Sequence, residues 1–371
     1  MSEPVRPTPP GLEPFWNDPL REFATLPPEP IEAGLRERHR LYSLLTMAIV
    51  AAQFNGNKHG DRGDYGPWRK KQVEPGVSGT PPIHRGGTYL GHNIGAIAVD
   101  ARGNVVDLDF NHNEIFNSSV EHAESRLVRR IFSLAQIFDP WRQRRAGIAG
   151  GITPPVEPSA APRTFLFTAN PERTQAAALG ASGRRRGYGT LLADVSVYTS
   201  LESCAQCSGI MALASVREVA YLQCDQGQYL IGDLMYRATR GGGPGSARRP
   251  GAPRPIPASE FGFEWYERLN AANIAFARRV RKEPFFRDGT MKDTSASVTS
   301  FLCTDDALEI YEDAARTLDA TTSVEEPDYR RPDHAGDPVD GALSNAEVLD
   351  AVRRFLDYAR RQGGRGSPHR V

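Results

Sequence analysis

The 371-residue chain predicts an α/β fold, a mixed β-sheet covered by helices. Three observations carry that expectation. Apolar residues recur at helical spacing over 31–54. Two β-type runs, over 94–99 and 105–110, flank the turn sequence Asp100-Ala-Arg-Gly103. Helix-like and strand-like segments then alternate between 121 and 222.

The elements follow in chain order. Residues 1–30 are proline-rich and read as an extended arm. Leu35, Leu41, Leu44, Leu45, Ala48 and Ile49 mark the first helix, which Asn55-Gly56-Asn57 ends. Residues 56–90 are rich in Gly and Pro and read as a loop insertion. After the hairpin, a helix over about 121–137 has Ser118 or Ser119 as its cap and Leu127, Ile131 and Leu134 on one face. A second insertion covers 139–188, with a short strand expected over 163–168. A strand over 194–199, a helix over 204–215 and a strand over 218–222 complete a domain spanning 31–236. A Gly/Pro-rich linker over 237–260 then leads to a helical C-terminal extension over 261–371, with helices near 262–280, 304–318 and 344–361.

Composition narrows the function classes. Charged residues are 24% and the formal net charge is zero, which argues against a partner held mainly by its phosphates. Residues 304–371 hold 15 acidic and 9 basic side chains, so the rest of the chain carries a small basic excess, as a solvated surface also would. The apolar stretch 44–52 is too short to cross a bilayer, and the start of the chain has no signal-like apolar segment, so a cytoplasmic protein is expected. Four cysteines, two in a C-x-x-C pair, suit a metal or redox role in a reducing compartment.

Two short motifs carry the chemistry. His122-Ala123-Glu124 opens one predicted helix, and Cys204-Ala205-Gln206-Cys207 opens another directly after a strand. Alone, each is a weak signal; a C-x-x-C pair is equally a redox couple or half of a structural zinc site. Together they predict a catalytic zinc site. One imidazole and two thiolates are three protein ligands, leaving a fourth position for a water whose pKa falls towards ~7. Helix N-termini favour thiolate over thiol. Glu124, two residues past the histidine, is placed to take and return a proton. Against this stand a closed structural site, for which Cys224 is the nearby fourth cysteine, and Glu124 as an ordinary surface helix residue.

H-x-E followed by P-C-x-x-C is the signature of zinc-dependent nucleobase deaminases, and this chain carries it apart from the proline. The run Asp194-Val-Ser-Val-Tyr-Thr-Ser-Leu-Glu-Ser-Cys-Ala-Gln-Cys-Ser-Gly-Ile-Met resembles the strand-and-cysteine segment of the cytidine deaminase-like superfamily, in its tRNA adenosine deaminase and cytosine/guanine deaminase branch. Val216-Arg-Glu-Val-Ala-Tyr-Leu-Gln-Cys-Asp225 is similar to the next strand of those enzymes. The resemblance covers roughly 31–54, 91–138 and 188–236 and implies a three-layer α/β/α fold, a Zn2+ cofactor and a homodimer. It also implies that Asn111 touches substrate and that the backbone at Ala123 and Ser203 lines a base pocket. Asn113 competes with Asn111, and either also suits a turn. Two departures stand out: Ser203 replaces the proline usual before the first cysteine, and 139–188 lengthens the gap before it.

The expected activity is hydrolytic deamination of an exocyclic amine on a nucleobase, nucleoside or nucleotide. Alternatives are the same chemistry on a base within RNA or single-stranded DNA, and a deaminase-like binding subunit without turnover. Tyr65 and Trp68 beside Arg69-Lys70-Lys71 suit stacking on single-stranded nucleic acid, or a solvated loop pinned by its aromatics. Asp225 reads as a substrate contact or a capping aspartate, and Cys303 as a packed thiol. His59, His84, His92 and His112 read as solvated loop residues, and the basic stretches at 184–186, 248–254 and 278–282 as solvated surface.

Overall fold

A computed structural model describes residues 29–54, 92–113, 118–137, 192–228, 230–240, 251–282, 285–287, 291–293, 296–333 and 336–363. The insertions at 56–90 and 139–188, the strand expected over 163–168, Tyr65, Trp68, His59, His84 and Arg184-Arg185-Arg186 lie outside those residues.

Helix α1 spans Ala33–Ala52 and is buried without interruption from Leu41 to Ala51. A run that is buried on every side needs partners on every side. Leu41, Leu44, Leu45, Met47 and Ile49 are each at most 2% exposed, and burying each such side chain contributes about 1.5–3 kcal/mol. The sheet covers one side of α1; two C-terminal helices cover the other, as described below.

Strands β1 (Gly95–Val99) and β2 (Val105–Phe110) form the antiparallel hairpin the sequence predicts. Its turn is held by Asp100, whose Oδ1 accepts the N–H groups of Arg102 and Asn104, both at 2.9 Å. Gly103 adopts φ 92°, a left-handed conformation that glycine takes without strain. Helix α2 (Ala123–Ile137) follows. Strand β3 (Ser196–Thr199) pairs antiparallel with β1, helix α3 spans Ala205–Leu213, and β4 (Glu218–Tyr221) pairs parallel with β3. Successive side chains of a strand face opposite sides of its sheet. Tyr198 reaches His39 on α1, whereas Thr199 reaches Glu124 on α2, so α1 and α2 cover opposite faces.

The segment 237–260, expected as a linker, departs from that description. Helix α4 (Ile231–Arg240) runs into it, and Arg254–Pro257 forms β5, parallel to β4. The sheet order is β2-β1-β3-β4-β5. Two prolines in four residues hide β5 from a propensity reading, because proline cannot donate to a ladder and is tolerated only on an edge. A 3₁₀ turn, Ala258–Phe261, lays Phe261 against the His39 ring, with centroids 5.2 Å apart.

The C-terminal helices are α5 (Glu264–Lys282), a short α6 (Val298–Phe301), α7 (Asp305–Ala320) and α8 (Asn345–Gly363), with a β6 (Phe285–Arg287) and β7 (Met291–Asp293) hairpin between α5 and α6. Helices α7 and α8 pack on α1, and their apolar residues belong to the same buried cluster as the sheet. Thr304 caps α7, and Ser344 with Glu347 forms a reciprocal capping box at the start of α8.

Buried polar groups pin this covering layer. Arg38, 3% exposed, donates to Asn345 Oδ1 at 2.9 Å, to the carbonyl oxygen of Leu343 at 2.5 Å and to that of Tyr329 at 3.3 Å. Arg331, 7% exposed, reaches down to β4 and β3, pairing with Glu218 at 3.5 Å and Ser196 Oγ at 3.3 Å. No described helix is long and apolar enough to cross a membrane.

Candidate metal centre

The parallel strands β3 and β4 end at one edge of the sheet, and the chemistry gathers there. Cys204 is the N-cap of α3, with extended backbone (φ −68°, ψ 171°), so the C-x-x-C spacing places Cys207 one turn further along the same helix start. His122 immediately precedes α2 and its carbonyl accepts the Arg126 N–H at 3.0 Å, the first bond of that helix. Asn111, at the end of β2, accepts the Ala123 N–H at 2.7 Å. A side-chain oxygen there satisfies one of the donors a helix start leaves open.

His122, Cys204 and Cys207 offer ligand atoms all within 4.8 Å of one another. His122 Nδ1 lies 3.4 Å from Cys204 Sγ and 3.6 Å from Cys207 Sγ. With ordinary Zn–N and Zn–S bonds, the N–S edge of a coordination tetrahedron is about 3.6 Å. One imidazole nitrogen and two sulfurs at that spacing suit a divalent zinc-like ion better than a hard, oxygen-seeking one. Among the described residues this is the one such group with three or more ligand side chains.

Electrostatics agree with the ligand assignment. A hydrogen bond from Cys207 is the main cause that pulls Cys204 down to about 4, with His122 adding to it against burial. The same bond, together with burial, pushes Cys207 up. His122 is raised, chiefly by its contact with Cys204. One thiol of the pair thus ionises readily, beside a helix N-terminus that favours the anion.

Glu124 is 3% exposed, on the first turn of α2. Its Oε1 accepts from Ser203 Oγ at 3.0 Å and from Thr199 Oγ1 at 3.3 Å. Its Oε2 lies 3.4 Å from Cys207 Sγ, on the side of the ligand group. Burial raises its pKa, and the Cys204 charge adds to the rise. A buried carboxyl shifted upward holds a proton more readily than one in water.

Of the other residues singled out from the sequence, Asn111 is 2% exposed with its Oδ1 committed to Ala123 N–H. Ala123 is fully buried. Ser203 is 3% exposed, and its backbone carbonyl accepts from Ser208 Oγ at 3.4 Å. Asn113 Nδ2 donates to the Ser118 carbonyl at 3.3 Å. His112, expected to be solvated, is 1% exposed and lies 3.6 Å from Asp109. The apolar packing of β2 against α2 draws it inward along with Asp107 and Asp109, which pair with Arg130 and Arg126. Cys224 Sγ lies 2.7 Å from Tyr266 Oη, away from the ligand group, and Cys303 is a buried thiol 3.7 Å from Asn93 Nδ2.

Three contributors escaped sequence reasoning. Thr199 faces Glu124 because it shares the α2-facing side of β3 with Val197, a parity the alternating strand already contained. The Ser203 side chain is the second. Glu202 is the third: its two carboxylate oxygens accept the N–H groups of Leu230 and Asp225, each at 3.0 Å. That pins the loop after β4 next to the ligand group, and burial pushes Glu202 up to about 7. No signal short of the fold marks it. Gln228 Oε1, in the same loop, accepts the Ala205 N–H at the start of α3 at 3.3 Å.

No family model and no curated protein matches the chain. Among solved structures, one from a study of A-to-I editing by tRNA:A34 deaminases at the wobble position of transfer RNA is similar at 17% identity. The similarity spans 44% of this chain and 82% of that one, with a TM-score of 0.21. So low a superposition score carries no weight for function. The fold itself is a mixed five-stranded sheet with helices on both sides, an α/β architecture with its His-Cys-Cys group at the ends of two parallel strands.

Proposed function

We propose that the protein is a zinc-dependent hydrolytic deaminase, replacing an exocyclic amine of a nucleobase, nucleoside or nucleotide with oxygen and releasing ammonia. The observation that carries the reading is the approach of Glu124 Oε2 to within 3.4 Å of Cys207 Sγ, beside His122 and Cys204 at tetrahedral-edge spacing. A closed structural site takes four protein ligands. Among the described residues this group has three, with the Glu124 carboxyl beside one of them.

His122, Cys204 and Cys207 would hold the zinc. Bound there, zinc lowers the pKa of a water towards ~7 and so supplies a nucleophile at neutral pH. Glu124 would take a proton from the attacking water through Oε2 and give it to the ring nitrogen, then pass the hydroxyl proton of the substrate adduct to the amine, whose C–N bond breaks to release ammonia. Asn111 holds the start of α2, and with it His122 and Glu124, against β2. Glu202 and Gln228 hold the loop that borders α3. His122 is raised chiefly by Cys204, and after it by the charges of Glu124 and the half-buried Asp225. A carboxylate there disfavours a phosphate at that point and agrees with an uncharged base at the metal.

The test is ammonia release by the zinc-loaded protein across cytosine, adenine and guanine bases, nucleosides and nucleotides, plus single-stranded DNA and tRNA, with Glu124→Ala as control. Glu124-dependent turnover of a small compound supports the reading. Turnover confined to the polynucleotides moves the substrate to bases within nucleic acid. A Glu124→Ala protein as active as wild type refutes the assigned role.

A further inference from the structure

We propose that Ser203 is a positioning residue that clasps Glu124 by one oxygen and so aims the other at the ligand group; the proposal rests on the deaminase reading of that site. The geometry is asymmetric. Ser203 Oγ donates to Oε1 at 3.0 Å and Thr199 Oγ1 donates to the same atom at 3.3 Å, while Oε2 is turned to Cys207 at 3.4 Å. Ser203 is 3% exposed and Thr199 fully buried, so both hydroxyls are shielded from bulk water. A carboxylate without these donors has only the broad, two-fold preference of its terminal torsion and its remaining contacts to orient it. With them, the two oxygens have different tasks: one is anchored and the other is left for proton exchange.

Ser203 stands where the resembled family has a proline, and a proline has neither a hydroxyl nor any other donor. In this chain the residue before the first cysteine therefore does something the family residue cannot. The shorter of the two bonds to Oε1 comes from it, and it belongs to the turn that delivers Cys204 to the end of β3. The same residue couples the orientation of Glu124 to the placement of the ligands.

Two measurements test this. The first is a double-mutant cycle in zinc-free protein, comparing urea midpoints of wild type, Ser203→Ala, Glu124→Ala and the double variant. The expected result is that Ser203→Ala lowers the midpoint of wild type but not that of Glu124→Ala. Simple additivity of the two shifts overturns the clasp. The second uses zinc-loaded protein and the compound that wild type turns over. Ser203→Ala is expected to lower kcat about 10- to 100-fold, the usual cost of losing an outer-shell partner, with KM and zinc content unchanged, and Ser203→Thr to restore kcat. An unchanged kcat in Ser203→Ala overturns the proposal even if wild type is a deaminase. Should wild type release no ammonia from any compound, the deaminase reading fails, and the zinc-free cycle alone decides whether Ser203 holds Glu124.

Discussion

Replacing Arg331 by Met isolates how strongly the C-terminal layer is tied to the sheet. Arg331 lies far outside the motif-bearing region, yet its guanidinium enters the α1 face and meets Glu218 at 3.5 Å and Ser196 Oγ at 3.3 Å. Burial pushes the Glu218 pKa up, and Arg331, His39 and Arg217 outweigh it, so the carboxyl is held below its usual range. Methionine keeps much of the apolar stem and removes the charge. Breaking a buried ion pair costs about 3–5 kcal/mol when one charge is left uncompensated. Here Glu218 keeps Ser196 as a donor and Arg217 Nε at 3.6 Å, so the low end applies, about 3 kcal/mol. The assay is urea denaturation at pH 7, followed by tryptophan fluorescence and circular dichroism together. Glu218→Gln and the double variant complete a cycle, and the coupling should exceed about 1 kcal/mol, as for groups in direct contact. Sign follows from the lowered carboxyl: its contribution is present above the ordinary carboxylate pKa and lost as pH falls through the folded value. The gap between wild type and Arg331→Met should therefore narrow in acid. A loss under about 0.5 kcal/mol at pH 7, the usual range of an ordinary surface substitution, would refute the reasoning, as would strictly additive variants.

Other outcomes follow from the same geometry. Cys204→Ser should lose bound zinc on dialysis while wild type keeps about one ion per chain, read by elemental analysis. His39, 1% exposed, has its pKa lowered from 6.5 to about 4, mainly by burial. Between those values the unfolded chain binds the proton and the folded chain does not, so stability rises with pH across this window, by about 3 kcal/mol in all. In His39→Gln that slope should vanish from urea midpoints measured between pH 4 and 6.5. Asn111→Ala should cost about 0.5–2 kcal/mol, the range for losing a helix cap, and weaken zinc binding in a chelator competition. Asn111→Asp, which keeps the acceptor for Ala123 N–H, should restore both.

Much of the sheet was legible because its strands obey simple patterns. The Asp100–Gly103 turn sits between two β-type runs, and the alternation of Val197 and Thr199 against Ser196 and Tyr198 separates the two faces before any fold is known. That His122, Cys204 and Cys207 come together was legible for a chemical reason, since few other jobs bring a histidine and two cysteines to helix starts. What stayed hidden depends on long-range packing. Arg254-Pro-Ile-Pro257 carries no strand propensity; it becomes a strand because β4 offers an open neighbour. Helices α7 and α8 read as an appendage, yet α1 has no polar side from Leu41 to Ala51, and that continuous burial already implied a second cover. Around Glu124 the hydroxyls of Thr199 and Ser203 are ordinary residues whose role exists only through contact.

The prolines of β5 have a bearing on how the molecule meets others of its kind. Arg254 turns its N–H towards Arg217, at 3.2 Å, so alternate residues of the strand point their nitrogens outward, and these are Pro255 and Pro257. An incoming chain would find carbonyl oxygens along that border but no hydrogen to bind. Strand-by-strand growth, the common route from an exposed sheet edge to aggregation, lacks half of its bonds there. Among the described residues, a further strand at this border would meet no N–H donor at Pro255 or Pro257 and would rely more on side chains.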